Sequence, residues 1–219
     1  MTPLTVDSTP LPDPSRPQAV LVDAGTGNLH SVYNALLNLG FRVQVTSQPA
    51  DIASAGRVIL PGVGAYGKFM DGLAERGLVE PLRAFVQAGL PLLGICVGMQ
   101  ALFERSEEMG IHPGLALLPG KVIRFPQFTD RKVPHTGWNQ LWQAGASPLL
   151  AGLPEGAYAY FNHSFYCQPA GEADTAARTD YGLPFCSVVA RARLYGVQFH
   201  PEKSQTVGLQ ILRNFMERC

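Results

Sequence analysis

In the first half of the chain, short runs of consecutive apolar residues alternate with longer stretches in which apolar residues recur every three or four positions. The runs Ala19-Val20-Leu21-Val22, Val58-Ile59-Leu60 and Pro91-Leu92-Leu93-Gly94-Ile95 read as strands buried on both faces, and Phe41-Arg42-Val43-Gln44-Val45 as a further strand. Between the first two strands, Leu29, Val32, Leu36 and Leu39 share one helical face, with Asn28 placed as its cap and Gly40 as its stop. Residues 66–88 read as helical with a break near Gly77 and Pro81, and 99–105 as another helix. This order predicts an α/β fold with a mostly parallel sheet flanked by helices.

The second half changes period. Residues 121–125, 158–161, 173–178, 187–190 and 194–198 read as short strands separated by turns, which predicts antiparallel additions to the sheet. Ser204 is placed to cap a last helix running to Phe215, with Val207, Leu209, Leu212 and Phe215 on its apolar face. Residues 1–17 contain five prolines and little that could pack, so a flexible leader is expected there and one domain over 18–219.

Composition narrows the function classes. Seventeen Lys plus Arg balance seventeen Asp plus Glu, so no overall field favours nucleic acid or an anionic membrane. No apolar run reaches the ~18 residues a membrane span requires, and no secretory signal is visible, so a cytoplasmic protein is expected. The four cysteines match no zinc spacing; bridges stay open, with Cys167 and Cys186 expected as buried small hydrophobes.

The chemistry gathers at two places. Gly94-Ile95-Cys96-Val97-Gly98 has the form of a nucleophile elbow: a strand delivers the cysteine, glycines clear the turn, and a helix follows. The helix start supplies partial positive charge that favours a thiolate, and the Val97 N–H faces the reaction site. A second oxyanion donor is expected from the loop Gly62-Val63-Gly64, where glycines let backbone approach a substrate. In Val197-Gln198-Phe199-His200-Pro201-Glu202, His200 is the candidate base and Glu202 the group that orients its ring. His112 reads as solvated and His30 falls in the first helix turn, while His135 and His163 are open to lining a pocket or a partner surface. No His, Cys and Asp trio has metal spacing, so no metal is expected. Asp23-Ala24-Gly25-Thr26-Gly27-Asn28 lacks the third glycine of a dinucleotide fingerprint and reads as a tight turn. The residues alone leave open a thiol hydrolase, or a binding module on the same sheet.

These segments resemble the class I glutamine amidotransferases. Phe161-Asn162-His163-Ser164-Phe165-Tyr166 is family-like too, while Asn28-Leu29, Pro134-His135-Thr136-Gly137-Trp138-Asn139 and Glu202-Lys203-Ser204-Gln205 are similar, more closely, to the glutaminase subunits of imidazole glycerol phosphate synthases. The family usually has other residues at Ala24, Val97 and Asn162. The resemblance implies a flavodoxin-like fold, a Cys96-His200-Glu202 triad, and L-glutamine as substrate. It implies that Gln100 helps hold glutamine and that backbone near Ser164 and Phe165 reads its α-amino and carboxylate groups. It implies no cofactor, and a heterodimer with a (β/α)8-barrel cyclase subunit, HisF, that receives the ammonia. Asn28, Pro134, Trp138 and Lys203 fall at the expected partner interface.

Overall fold

The computed structural model describes residues 17–26 and 29–219. Asn28 and residues 1–16 of the expected leader lie outside the described residues.

The parallel half is built as the apolar runs dictate. β1 (Ala19–Val22) leads through α1 (Leu29–Asn38) to β2 (Val43–Thr46). A short α2 (Pro49–Ala53), which the hydrophobic pattern does not announce, precedes β3 (Val58–Gly62). The helical stretch after β3 divides into α3 (Tyr66–Glu75) and α4 (Val79–Gln87). The break falls at Gly77, which takes φ 66°. Pro81 sits in the first turn of α4, where its missing N–H would be unpaired anyway. β4 (Leu92–Cys96) follows and runs into the single turn α5 (Val97–Gln100). Every residue of β1, β3 and β4 is buried, as expected for strands covered on both faces.

The helix expected over 99–105 is corrected. After α5 the chain turns into β5 (Phe103–Ser106) and β6 (His112–Pro113). The Ala101 and Leu102 carbonyls accept N–H groups from Leu115, Leu117 and Leu118, so partners further along the chain replace the helical ladder. β7 (Leu118–Arg124), β8 (His135–Gln143), β9 (Ala157–His163), β10 (Phe165–Pro169), β11 (Thr175–Asp180), β12 (Pro184–Arg191) and β13 (Leu194–Val197) complete the strands before α6 (Gln205–Arg218).

The sheet runs β2-β1-β3-β4-β13-β12-β10-β7-β5-β6, with β11, β8 and β9 branching from β12. β2, β1, β3, β4 and β13 are mutually parallel. From β12 onward pairing is antiparallel except between β5 and β7. α1 packs with α6, and α2 with α4. Burying one Leu or Phe side chain in such a core contributes roughly 1.5–3 kcal/mol. Leu60, Phe69, Leu93, Phe199 and Phe215 are all fully buried and belong to one continuous cluster. Among the described residues, no helix is long and apolar enough to cross a membrane.

Candidate active site

Strand register assembles the site. Gly62 at the end of β3 pairs with Cys96 at the end of β4, and Val197 in β13 pairs with Ile95. The 62–64 loop and the 198–200 segment therefore leave the sheet on either side of Cys96. All are at carboxyl ends of parallel strands, where open α/β sheets form their ligand crevices.

Cys96 has φ 54° and ψ −111°. A non-glycine residue holds such a backbone at a cost of about 1–3 kcal/mol, which surrounding structure must offset. The flanking glycines are required by space. A Cβ on Gly98 would collide with the Leu60 carbonyl, and one on Gly94 would lie 2.6 Å from the Gly98 carbonyl oxygen. α5 begins at Val97, so its first N–H groups have no intrahelical partner and lie next to the cysteine.

His200 and Glu202 meet as the two-residue spacing predicts. His200 Nδ1 donates to Glu202 Oε1 at 2.9 Å, which leaves Nε2 for the sulfur. Burial alone would lower the His200 pKa, but hydrogen bonds to Cys96 and Glu202, and their negative charges, outweigh it and raise it to about 10. The ring therefore favours its protonated form. Ser204 serves this segment rather than α6: its hydroxyl makes no cap bond. It donates to the His200 carbonyl at 2.6 Å and accepts the Tyr160 N–H at 2.9 Å. His200 N–H in turn donates to the Tyr160 carbonyl, which ties the histidine to β9.

A cavity of about 450 Å³ opens over these groups. Its wall contains Val63, Gly64, Cys96, Val97, Gln100, Ser164, Phe165, His200, Pro134 and Lys203, all predicted from sequence. Gly62 lies beneath the loop and Glu202 behind the imidazole, so neither is on the wall. Gln100 Nε2 donates to the Phe165 carbonyl at 3.0 Å and to Gln198 Oε1 at 3.2 Å.

Sequence reasoning missed two residues here. Gln198 is fully buried, with Nε2 3.8 Å from Cys96 Sγ. The one local signal is a polar side chain two residues before His200, in the segment that follows β13. Glu108 lines the cavity, and its carboxylate accepts the Tyr66 N–H at the start of α3. In sequence it reads as part of an ordinary charged pair, Glu107-Glu108. His163, which the sequence leaves open between pocket and partner surface, is buried and lines the cavity.

Of the expected interface residues that are described, Pro134 and Lys203 line the cavity and Trp138 is linked to Lys203 through Tyr160. Trp138 is 46% exposed on β8, and its ring meets that of Tyr160 of β9 edge-on at 6.0 Å. Lys203 Nζ stands 5.8 Å over the same Tyr160 ring. Pro134 is exposed at the cavity mouth. Among the described residues, no group of three or more His, Cys, Asp or Glu side chains is arranged to hold a metal ion.

Residues 20–219 match the family described as glutamine amidotransferase class-I. A relative from Desulfitobacterium hafniense (strain Y51), named imidazole glycerol phosphate synthase subunit HisH, is 48% identical over 195 residues, 89% of this chain and 92% of that protein. A relative of the same name from Moorella thermoacetica is 49% identical over 202 residues, covering 92% and 95%. A solved glutamine amidotransferase structure superposes with a TM-score of 0.71 at 24% identity, covering 90% of this chain and 97% of that one. PurLQS from Thermotoga maritima gives 0.70 at 16% identity, covering 91% and 97%. At these identities the two structures speak for the fold alone.

Proposed function

The chain belongs to the class I glutamine amidotransferase family, and from that premise we propose that it is the glutaminase subunit, HisH, of an imidazole glycerol phosphate synthase. It hydrolyses glutamine to glutamate and ammonia and passes the ammonia to a (β/α)8-barrel cyclase, HisF. There the ammonia converts PRFAR to imidazole glycerol phosphate and AICAR in histidine biosynthesis. We place the protein in the cytoplasm on the same grounds.

The observation that carries the mechanism is the imidazole of His200, bonded on one side to Glu202 and on the other to Cys96. The Cys96 sulfur attacks the carboxamide carbon of glutamine and the C=O π pair moves onto oxygen. The Val97 N–H and an N–H of the 62–64 loop stabilise that oxyanion; one such donor is worth about 3–4 kcal/mol in a transition state. Collapse breaks the C–N bond, and His200 gives its proton to the departing nitrogen. The resulting γ-glutamyl thioester is opened by water, whose proton His200 accepts, and glutamate leaves with the thiol restored.

The substrate's α-groups suit the opposite wall. The Glu108 carboxylate is the natural partner for the α-ammonium. Backbone at Ser164 and Phe165 reads the rest, with Gln100 bracing the Phe165 carbonyl.

The test is covalent. A glutamine-like chloroketone, followed by peptide mass spectrometry of the complex with its cyclase, is expected to modify Cys96 and to be blocked by glutamine. Modification confined to Cys167, Cys186 or Cys219 overturns the assignment.

A further inference from the structure

A buried line of polar groups runs from the cavity wall to the strand that carries Trp138, and the chemistry above does not use it. His163 Nδ1 lies 2.8 Å from the Phe165 carbonyl. His163 Nε2 lies 3.1 Å from His135 Nδ1. His135 Nε2 lies 3.2 Å from Asn139 Nδ2, which also donates to the Asp180 carbonyl at 2.8 Å.

Donor logic fixes every proton. The Phe165 carbonyl can only accept, so His163 Nδ1 carries the hydrogen. Burial lowers the His163 pKa to about 3 and the His135 pKa to about 4, so both rings are neutral. His163 Nε2 must then accept from His135 Nδ1–H, and His135 Nε2 must accept from Asn139. The sequence separates these histidines by 28 positions, and the β8–β9 register makes them direct partners. His135 is also stacked between Phe161 at 4.7 Å and Tyr181 at 4.0 Å, so its ring has no freedom to turn.

The line does not stop at Phe165. Its carbonyl also accepts from Gln100, which donates to Gln198, whose amide faces Cys96. The orientation of one peptide group is therefore set jointly from the nucleophile side and from β8.

We propose that His163 and His135 are positioning residues, which hold the Phe165 peptide in the orientation that reads glutamine and tie it to the docking strand β8. The inference rests on the reading of Ser164 and Phe165 as substrate-contacting backbone. The two imidazoles act through the Phe165 carbonyl and do not touch the reacting atoms.

The experiment uses the complex with its cyclase. His163→Leu removes the donor to Phe165, and His163→Asn keeps a donor near the Nδ1 position. His135→Phe keeps the stacking and removes both hydrogen bonds. His163→Leu is expected to raise KM for glutamine at least tenfold with a smaller change in kcat. His163→Asn is expected to recover most of that loss, and His135→Phe to fall between them. In the unmutated complex, ¹⁵N NMR of the histidines is expected to show His163 and His135 as neutral Nδ1–H tautomers, a readout that needs no variant to fold. Equal kinetics for the Leu and Asn variants, or an Nε2–H tautomer at His163, overturns the proposal. Unchanged KM in all three variants, with Cys96 still labelled by the chloroketone, overturns it while the site reading stands. Failure of that label in the unmutated complex removes the site reading and the proposal with it.

Discussion

His200 Nδ1 sits 2.9 Å from Oε1 of Glu202, and the second oxygen of that carboxylate is buried without a partner. Among the described residues, the His200 imidazole is the one basic group paired with this carboxylate. Removal of the carboxylate leaves the ring free to take the wrong tautomer. Glu202→Gln keeps the shape and deletes the charge, so kcat for glutamine hydrolysis in the complex is expected to fall about 10²–10⁴-fold. KM is expected to change little, because Glu202 stands behind the histidine and off the cavity wall. A fall in kcat of less than threefold would remove Glu202 from the triad.

The three buried histidines bend the pH–stability curve in opposite directions. His135 and His163 have folded pKa values of about 4 and about 3, below the unfolded value of about 6.5. The unfolded chain therefore binds more protons between those limits, and stability is lost as pH falls below about 6.5. The loss at pH 5 is on the order of 2 kcal/mol from His163 and nearly as much from His135. His200 is shifted upward to about 10, so its contribution is complete below about 6.5 and is lost as pH rises from there toward its folded value. Stability is expected to peak between pH 6 and 7 in urea titrations across pH 5–9. A shallower acid limb in His163→Asn supports the assignment; an unchanged limb assigns the acid loss elsewhere.

Legibility from sequence follows the range of the forces. β1, β3 and β4 are readable because both of their faces are apolar, and that leaves a continuous run. The elbow is readable because Gly94 and Gly98 answer a local collision. β8 is not, because its polar and aromatic residues are spread over both faces and Trp138 and Trp142 point outward. Its strand conformation comes from β9 and β11, which lie far along the chain. The same holds for the 99–105 segment, where carbonyl partners from Leu115 to Leu118 override a local helical pattern. Ser204 reads locally as a helix cap for the related reason that its actual partners, His200 and Tyr160, are set by tertiary contact.

Two glycines near the nucleophile separate steric from conformational demand. A Cβ at Gly98 would meet the Leu60 carbonyl, a backbone atom of a central strand that cannot rotate away. Gly98→Ala is expected to lower stability by about 3 kcal/mol or more, or to prevent folding. Gly64 has φ 87°, but a methyl group added there would find nothing within 4 Å. Gly64→Ala is therefore expected to cost only about 1–2 kcal/mol of backbone strain. Urea midpoints at constant m-value make the comparison. Equal losses at the two sites would mean that the elbow relaxes, contrary to the close packing around it.

Trp138 and Trp142 test where the partner docks. They lie four residues apart on one face of β8, 46% and 48% exposed, so exposure does not distinguish them. Position does. Trp138 contacts Tyr160, over which Lys203 of the cavity wall stands, and so lies beside the cavity rim. Trp142 pairs instead with Arg178 of β11, away from that rim. An aromatic anchor at the centre of an interface contributes about 2 kcal/mol or more on truncation. Trp138→Ala is expected to weaken cyclase binding by roughly 30-fold, and Trp142→Ala by less than about threefold. Both are half-exposed, so neither is expected to shift the thermal midpoint by more than a few degrees. Titration calorimetry with the cyclase reads the difference. A larger loss at Trp142 would move the docking face toward β11 and leave the cavity mouth open to solvent, which a protein that passes on ammonia cannot allow.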